Sequence, residues 1–289
     1  MAEASLGDLP VAAAPAYAGP LLAFRDVSVR FGGIAALTDL TFEAEAGDVL
    51  GVVGPNGAGK STMLNAVSGL LGNNATGDIV FAGKSILGRS AVTVARAGIG
   101  RSFQDPPLIT QETVLQNVLV GQHLRLQYSA ADQIWRRRKV ARLEGEAVQR
   151  AINVLDFMGI ADLSGHVVGN LSYGTKKLID IARAVAASPR LLLLDEPTSG
   201  LDAEEQLEVS RILTALHRTS EITVVIVEHH LDVVRTVANK VIGLQAGMVL
   251  ASGTPKEVLD SEQFQAAIIG DQPDSDNGNG APSNRAERE

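Results

Sequence analysis

The sequence predicts an α/β protein, a parallel sheet covered by helices on both faces and interrupted by a helical lobe. Three observations carry that prediction. Short, wholly apolar strands alternate with helical stretches, the pattern of a sheet buried on both faces. One of those strands runs straight into a glycine-rich turn that opens a helix. The middle third of the chain changes to long helical periodicity.

In chain order, residues 1–20 are rich in Ala and Pro and read as a disordered leader; residues 271–289, rich in Asp, Asn, Gly and Ser, read as a disordered tail. The folded body is 21–270. It opens with strand-like pieces at 22–31 and 40–43, followed by an apolar strand at 48–53 and a helix from about Lys60. Strands follow near 79–81 and 98–103, then helical patterns over 113–127 and 131–158. From Leu171 the order is helix, buried strand at 191–194, helix at 203–218 and β-branched strand at 222–227. No internal repeat is present.

The bulk numbers exclude several functions. A chain of 289 residues with 45% hydrophobic content can bury one substantial core and a small second lobe. A net charge of −8 argues against a nucleic-acid partner, which needs a basic face to neutralise phosphates. With no cysteine, disulfides, thiolate metal sites and cysteine nucleophiles are ruled out, which fits a reducing compartment. The N-terminus has neither a basic n-region nor a long apolar h-region, so no secretory signal is expected. No apolar run approaches the ~20 residues that cross a bilayer, so any membrane role must come through partner subunits.

Gly54-Pro55-Asn56-Gly57-Ala58-Gly59-Lys60-Ser61 fits the phosphate-loop pattern G-x-x-x-x-G-K-[ST] between a strand and a helix, the context that motif requires. Glycines let backbone N–H groups approach phosphate oxygens, and the helix points its positive end at them. Lys60 is expected to reach the β- and γ-phosphates and Ser61 to ligate Mg²⁺, with Thr62 beside them in the ATP-binding set. The strand that ends at Asp195 supplies the expected Mg²⁺ carboxylate. Glu196, one residue on, is the candidate to orient or deprotonate the attacking water.

A phosphate loop and an acidic strand are common to GTPases, kinases, helicases and transport ATPases. The segment Leu171-Ser172-Tyr173-Gly174-Thr175 decides between them: it resembles the L-S-G-G-Q signature of ABC ATPases, with Tyr173 and Thr175 replacing Gly and Gln. It stands 195 − 172 = 23 positions before Asp195, as in that family. The resemblance covers 21–270 and implies a P-loop NTPase fold: a RecA-like core (21–105 and 178–270) with an antiparallel β subdomain, and a helical signature lobe (106–177). It implies further that Gln104 touches Mg²⁺ and the attacking water and that His229 holds the γ-phosphate. Ser172, Gly174 and, in the D-loop Ser199-Gly200-Leu201-Asp202, Asp202 would act in trans on the ATP of a second subunit packed head to tail. Phe31 stands where the family keeps an adenine-stacking aromatic, although a strand Phe is also an ordinary core residue.

Longer strings resemble the branched-chain amino acid importer ATPases: 31–37, 98–104, 113–123, the Tyr173 variant of the signature, and Val227-Glu228-His229-His230. That group also includes relatives moving urea, short amides and hydrophobic or aromatic acids. The resemblance implies ATP and Mg²⁺ as cofactors, two membrane permease subunits, an extracytoplasmic binding protein, and a place on the cytoplasmic face of the cell membrane. An exporter subunit and a soluble ABC switch without a permease are the alternatives. The apolar stretch Pro106-Pro107-Leu108-Ile109 reads as a permease-docking loop. The basic run Arg136-Arg137-Arg138-Lys139 reads as a solvated helix face, with lipid headgroup contact as the alternative.

Overall fold

The computed structural model describes residues 19–72, 74–124 and 137–269. The expected leader and tail lie outside these residues, except for residues 19 and 20, and so does Arg136 of the basic run.

Two sheets form the body. A four-stranded antiparallel sheet has the order β2-β1-β4-β5, with β1 Leu22–Phe31, β2 Ile34–Ala44, β4 Ala75–Phe81 and β5 Lys84–Ser85. A six-stranded sheet has the order β10-β9-β3-β8-β7-β6, with β3 Val49–Val53, β6 Ile99–Arg101, β7 Leu191–Asp195, β8 Thr223–Val227, β9 Lys240–Gln245 and β10 Met248–Gly253. Its first five strands in the order β9-β3-β8-β7-β6 run parallel, and β10 closes one edge antiparallel to β9.

The period of two in the strands divides the core. Leu191 and Leu193 of β7, with Val225 and Val227 of β8, pack with the antiparallel sheet and helix α1 (Lys60–Val67). Leu192, Leu194, Val224 and Ile226 face the opposite layer, built by α3 (Val114–Gly121), α4 (Arg137–Phe157), α5 (Tyr173–Ala186) and α6 (Ala203–Thr219). Both faces of each strand are thereby buried, the reason residues 191–194 and 224–227 are apolar throughout. The short α2 (Ala91–Arg96) leads into β6, and α7 (Leu231–Val237), α8 (Pro255–Leu259) and α9 (Glu262–Ile269) complete the chain.

The helix expected over 113–127 stops at Gly121. Its start is sharply set, because Thr113 and Gln116 form a reciprocal capping box. At its other end a Cβ on Gly121 would overlap the carbonyl oxygen of Arg183, so α3 and α5 touch backbone to backbone. The two sheets meet at the β9–β10 turn. Gly247 (φ 78°) donates its N–H to Ala58 O at 3.1 Å and accepts from Thr38 N at 2.9 Å. One residue therefore binds both the glycine-rich loop and β2.

Candidate active site

β3 is buried at all five positions, and the chain leaves it through Gly54 (φ 151°), Gly57 (φ 75°) and Gly59 (φ 100°). At Gly54 a side chain is excluded twice, by the dihedral and because a Cβ would overlap Leu244 O of β9. Lys60, buried at the start of α1, donates from Nζ to Gly54 O (2.7 Å) and Pro55 O (2.8 Å). The N-cap of α1 is a glycine and makes no side-chain cap bond, so the helix start is left to an anion. A cleft of about 250 Å³ lies over this loop, lined by residues 34–36 and 56–62 together with Glu196 and His229.

Three strand ends converge beside it. β6, β7 and β8 are neighbours in the parallel sheet, so the residues following them emerge at the same edge, where open α/β sheets place their sites. Gln104 Nε2 donates to Glu196 Oε2 at 2.8 Å, and His229 Nε2 lies 2.8 Å from Glu196 Oε1. The Glu196 carboxylate is thus held at both oxygens. Its backbone takes the left-handed conformation (φ 48°), uncommon for a residue with a side chain, while its N–H donates to Val227 O at 2.9 Å.

Asp195 is 5% exposed and differs from Glu196 in its partners. Its Oδ2 accepts from Arg101 at 2.9 Å, and Arg101 also donates to Asn65 Oδ1 (2.8 Å) and Ser68 Oγ (3.0 Å) of α1. Asp195 Oδ1 is buried with no hydrogen-bond partner. A buried carboxylate oxygen without a donor is costly, so this set fits a hydrated Mg²⁺ whose water would satisfy it. Among the described residues no group of three or more His, Cys, Asp or Glu could cage a metal, so Mg²⁺ would depend on Ser61, Gln104, Asp195, water and the ligand's own phosphates.

The signature segment stands apart from that cleft within one chain. Ser172 caps α5 by accepting from Thr175 N at 3.1 Å, and Asp202 caps α6 by accepting from Glu204 N and Glu205 N, both at 2.9 Å. The two helix starts pack together, because a Cβ on Gly174 would overlap the Glu205 carboxylate and one on Gly200 would lie 3.1 Å from the Tyr173 ring. Phe31 is 45% exposed at the end of β1, paired with Ile34, and it is Ile34 that lines the cleft. In the 105–113 loop the side-chain amide of Asn117 accepts from Ile109 N (2.8 Å) and donates to Ile109 O (3.0 Å), while the Ile109 side chain is left 45% exposed.

Sequence reasoning missed three residues. Arg101 was read only as part of a string. Glu228, fully buried, accepts from Thr198 N (2.8 Å) and Oγ1 (2.7 Å) through one oxygen and from His229 N (3.1 Å) through the other. Its signal was an acid directly after an apolar strand, the place that Glu196 has after β7. Lys177, 2% exposed, donates to Gln104 O (2.5 Å) and Glu196 O (2.9 Å). Its signal was spacing, since it shares the core face of α5 with buried Gly174 and Ile181.

Residues 37–199 match the family model described as ABC transporter. The high-affinity branched-chain amino acid transport ATP-binding protein LivG of Salmonella typhimurium is 30% identical over 252 residues, 87% of this chain and 98% of that protein. BraF of Pseudomonas aeruginosa, described in the same terms, is 30% identical over 253 residues with the same coverage. Among solved structures, the ADP conformation of an ATP-binding cassette of an ABC transporter aligns with TM-score 0.75 at 29% identity, over 87% of this chain and 99% of that one. A nucleotide-free ATP-binding cassette aligns with TM-score 0.74 at 28% identity, over 86% and 98%. With its phosphate loop, its strand-end carboxylates and this match over most of its length, the chain belongs to the ABC transporter family, as an ATP-hydrolysing cassette of it.

Proposed function

We propose that this chain energises an importer for branched-chain amino acids or a related small substrate, acting from the cytoplasmic face of the cell membrane through two permease subunits and an extracytoplasmic binding protein. The near full-length likeness to LivG and BraF supports the substrate class. The observation that carries the chemistry is the Glu196 carboxylate held between Gln104 and His229 at the rim of the phosphate cleft.

In this reading Lys60 exchanges its bonds to Gly54 O and Pro55 O for oxygens of the β- and γ-phosphates of ATP. Ser61, Gln104 and Asp195 would hold Mg²⁺, which would neutralise charge on those phosphates. Glu196 orients the attacking water and accepts its proton, and His229 holds the γ-phosphate. Phe31 and the Ile34 side of the cleft take the adenine. The core of 21–105 and 178–270 carries these groups. The lobe of 106–177 carries the signature, whose Ser172 and Gly174, with Asp202 of the D-loop, act on the ATP of a second cassette packed head to tail. Closure of that pair moves the permeases, and hydrolysis resets them.

The test is Glu196→Gln. Hydrolysis should fall by about 100-fold or more while ATP binding is retained, and a nucleotide-bound dimer should accumulate. Hydrolysis at the normal rate would remove the catalytic assignment. For the substrate, the cassette reconstituted in proteoliposomes with its membrane partners should drive ATP-dependent leucine uptake; uptake of other solutes alone would reassign the cargo.

A further inference from the structure

An ammonium buried to the extent of Lys177 is costly unless its donors are used. It sits early in α5, and no carboxylate among the described residues lies in ion-pair range of it; its donors go to two main-chain carbonyls, those of Gln104 and Glu196. The side chains of those same two residues bond each other at 2.8 Å. The Gln104–Glu196 pair is therefore closed from both sides, by the amide–carboxylate bond toward the cleft and by one ammonium behind. Tyr173, four residues earlier on the same face of α5, adds a donor from its OH to Gln104 O at 3.2 Å, and its ring lies 5.5 Å from the Lys177 ammonium.

Burial lowers the pKa of Lys177, and the negative charges of Glu228, Asp180, Glu196 and Asp195 oppose that shift. The four-carbon stem matters as much as the charge. It reaches from a helix in one layer to the residues that follow two strands of the sheet, β6 and β7.

We propose that Lys177 is a positioning residue for hydrolysis, fixing the main chains of Gln104 and Glu196 from the signature helix so that the Glu196 carboxylate meets its water in register. The inference rests on the reading of Glu196 as the residue that orients that water. It makes the helix that serves the partner's nucleotide also the support of its own subunit's catalytic corner.

The experiment is steady-state ATPase kinetics on the full chain carrying Lys177→Met, which keeps the volume and removes the donors, beside Lys177→Gln, Tyr173→Phe and Glu196→Gln. For Lys177→Met kcat should fall by about ten-fold or more with KM for ATP within about three-fold, the pattern of a misplaced catalytic group. Lys177→Gln, which can serve one carbonyl, should fall between that variant and the parent. Tyr173→Phe should lose about two-fold in kcat at unchanged KM. A Lys177→Met enzyme with parental kcat overturns the proposal, as does a loss in which KM rises in step with the fall in kcat. If Lys177→Met does not fold, Lys177→Gln decides: kcat reduced at constant KM supports the role, and unchanged kcat overturns it. Normal hydrolysis by Glu196→Gln would overturn the catalytic reading and the positioning role with it. Loss in Glu196→Gln beside parental Lys177→Met overturns the positioning role alone.

Discussion

The phosphate loop and the signature corner both stand at helix starts, but they are built in opposite ways. The loop is a local object: three glycines at positive φ within six residues and a lysine that bonds back to Gly54 and Pro55. The signature corner is local only in its cap, Ser172 to Thr175. Its stabilising contacts reach Gln104 after β6, Glu196 after β7 and Glu205 on α6. A site made of backbone is fixed by its own few residues, and a site made of long side chains is fixed by the fold around it.

Substitutions should separate the two. The largest effect is expected for Gly54→Ala, which places a Cβ against Leu244 O at a φ of 151°. It should destabilise the chain by about 3 kcal/mol or more and abolish ATP binding, read by denaturant melts and nucleotide titration. Glu228→Ala follows, because it leaves the N–H and hydroxyl of buried Thr198 unpaired and releases the N–H of His229. A loss of about 2–4 kcal/mol is expected in chemical denaturation, with kcat reduced because His229 loses its anchor.

Gly174→Ala should be milder, since the overlap is with the end of the Glu205 side chain, which can swing toward solvent. Stability should change by less than about 1 kcal/mol while ATPase activity falls. An equal loss of stability and activity would make Gly174 a packing residue. The smallest effect is one of pH. Lys177 has a folded pKa below its ordinary 10.5, so between the two values the unfolded chain binds more protons and the contribution of this group to stability rises with pH. The stability of the parent relative to Lys177→Met should therefore increase as pH is raised toward 10.5, and a flat difference would show that the ammonium is not held in a buried setting.

The same contrast explains what the sequence made legible. The wholly apolar strands β3, β7 and β8 lie where the sequence reading placed them, because burial on both faces leaves no alternative pattern. β9 and β10 were not assigned; Gly243 and the exposed ends of β9 break its apolar run, and β10 is only half-buried. Lys60, Ser61, Asp195 and Glu196 could be located from short motifs, whereas Gln104 and His229 came only through resemblance, since nothing local says that residues 92 and 33 positions from Glu196 will meet it. Lys177 and Glu228 stayed hidden because a charged residue on an apolar face reads as an interruption until its partners are known. The helical lobe boundary drawn at 177 runs through α5, a single helix that carries both the signature and part of the core.

Gly247 has a consequence for ligand size. Its N–H holds Ala58 on the loop side of the cleft and its carbonyl holds Thr38 on the β2 side, and a Cβ there would come within 2.7 Å of Ala36 O. The two walls are tied through one residue, so the opening between them depends on the β9–β10 turn as well as on the loop itself. A ligand lying between the 34–36 wall and Lys60 therefore meets a gap whose width is influenced by a residue that does not line the cleft.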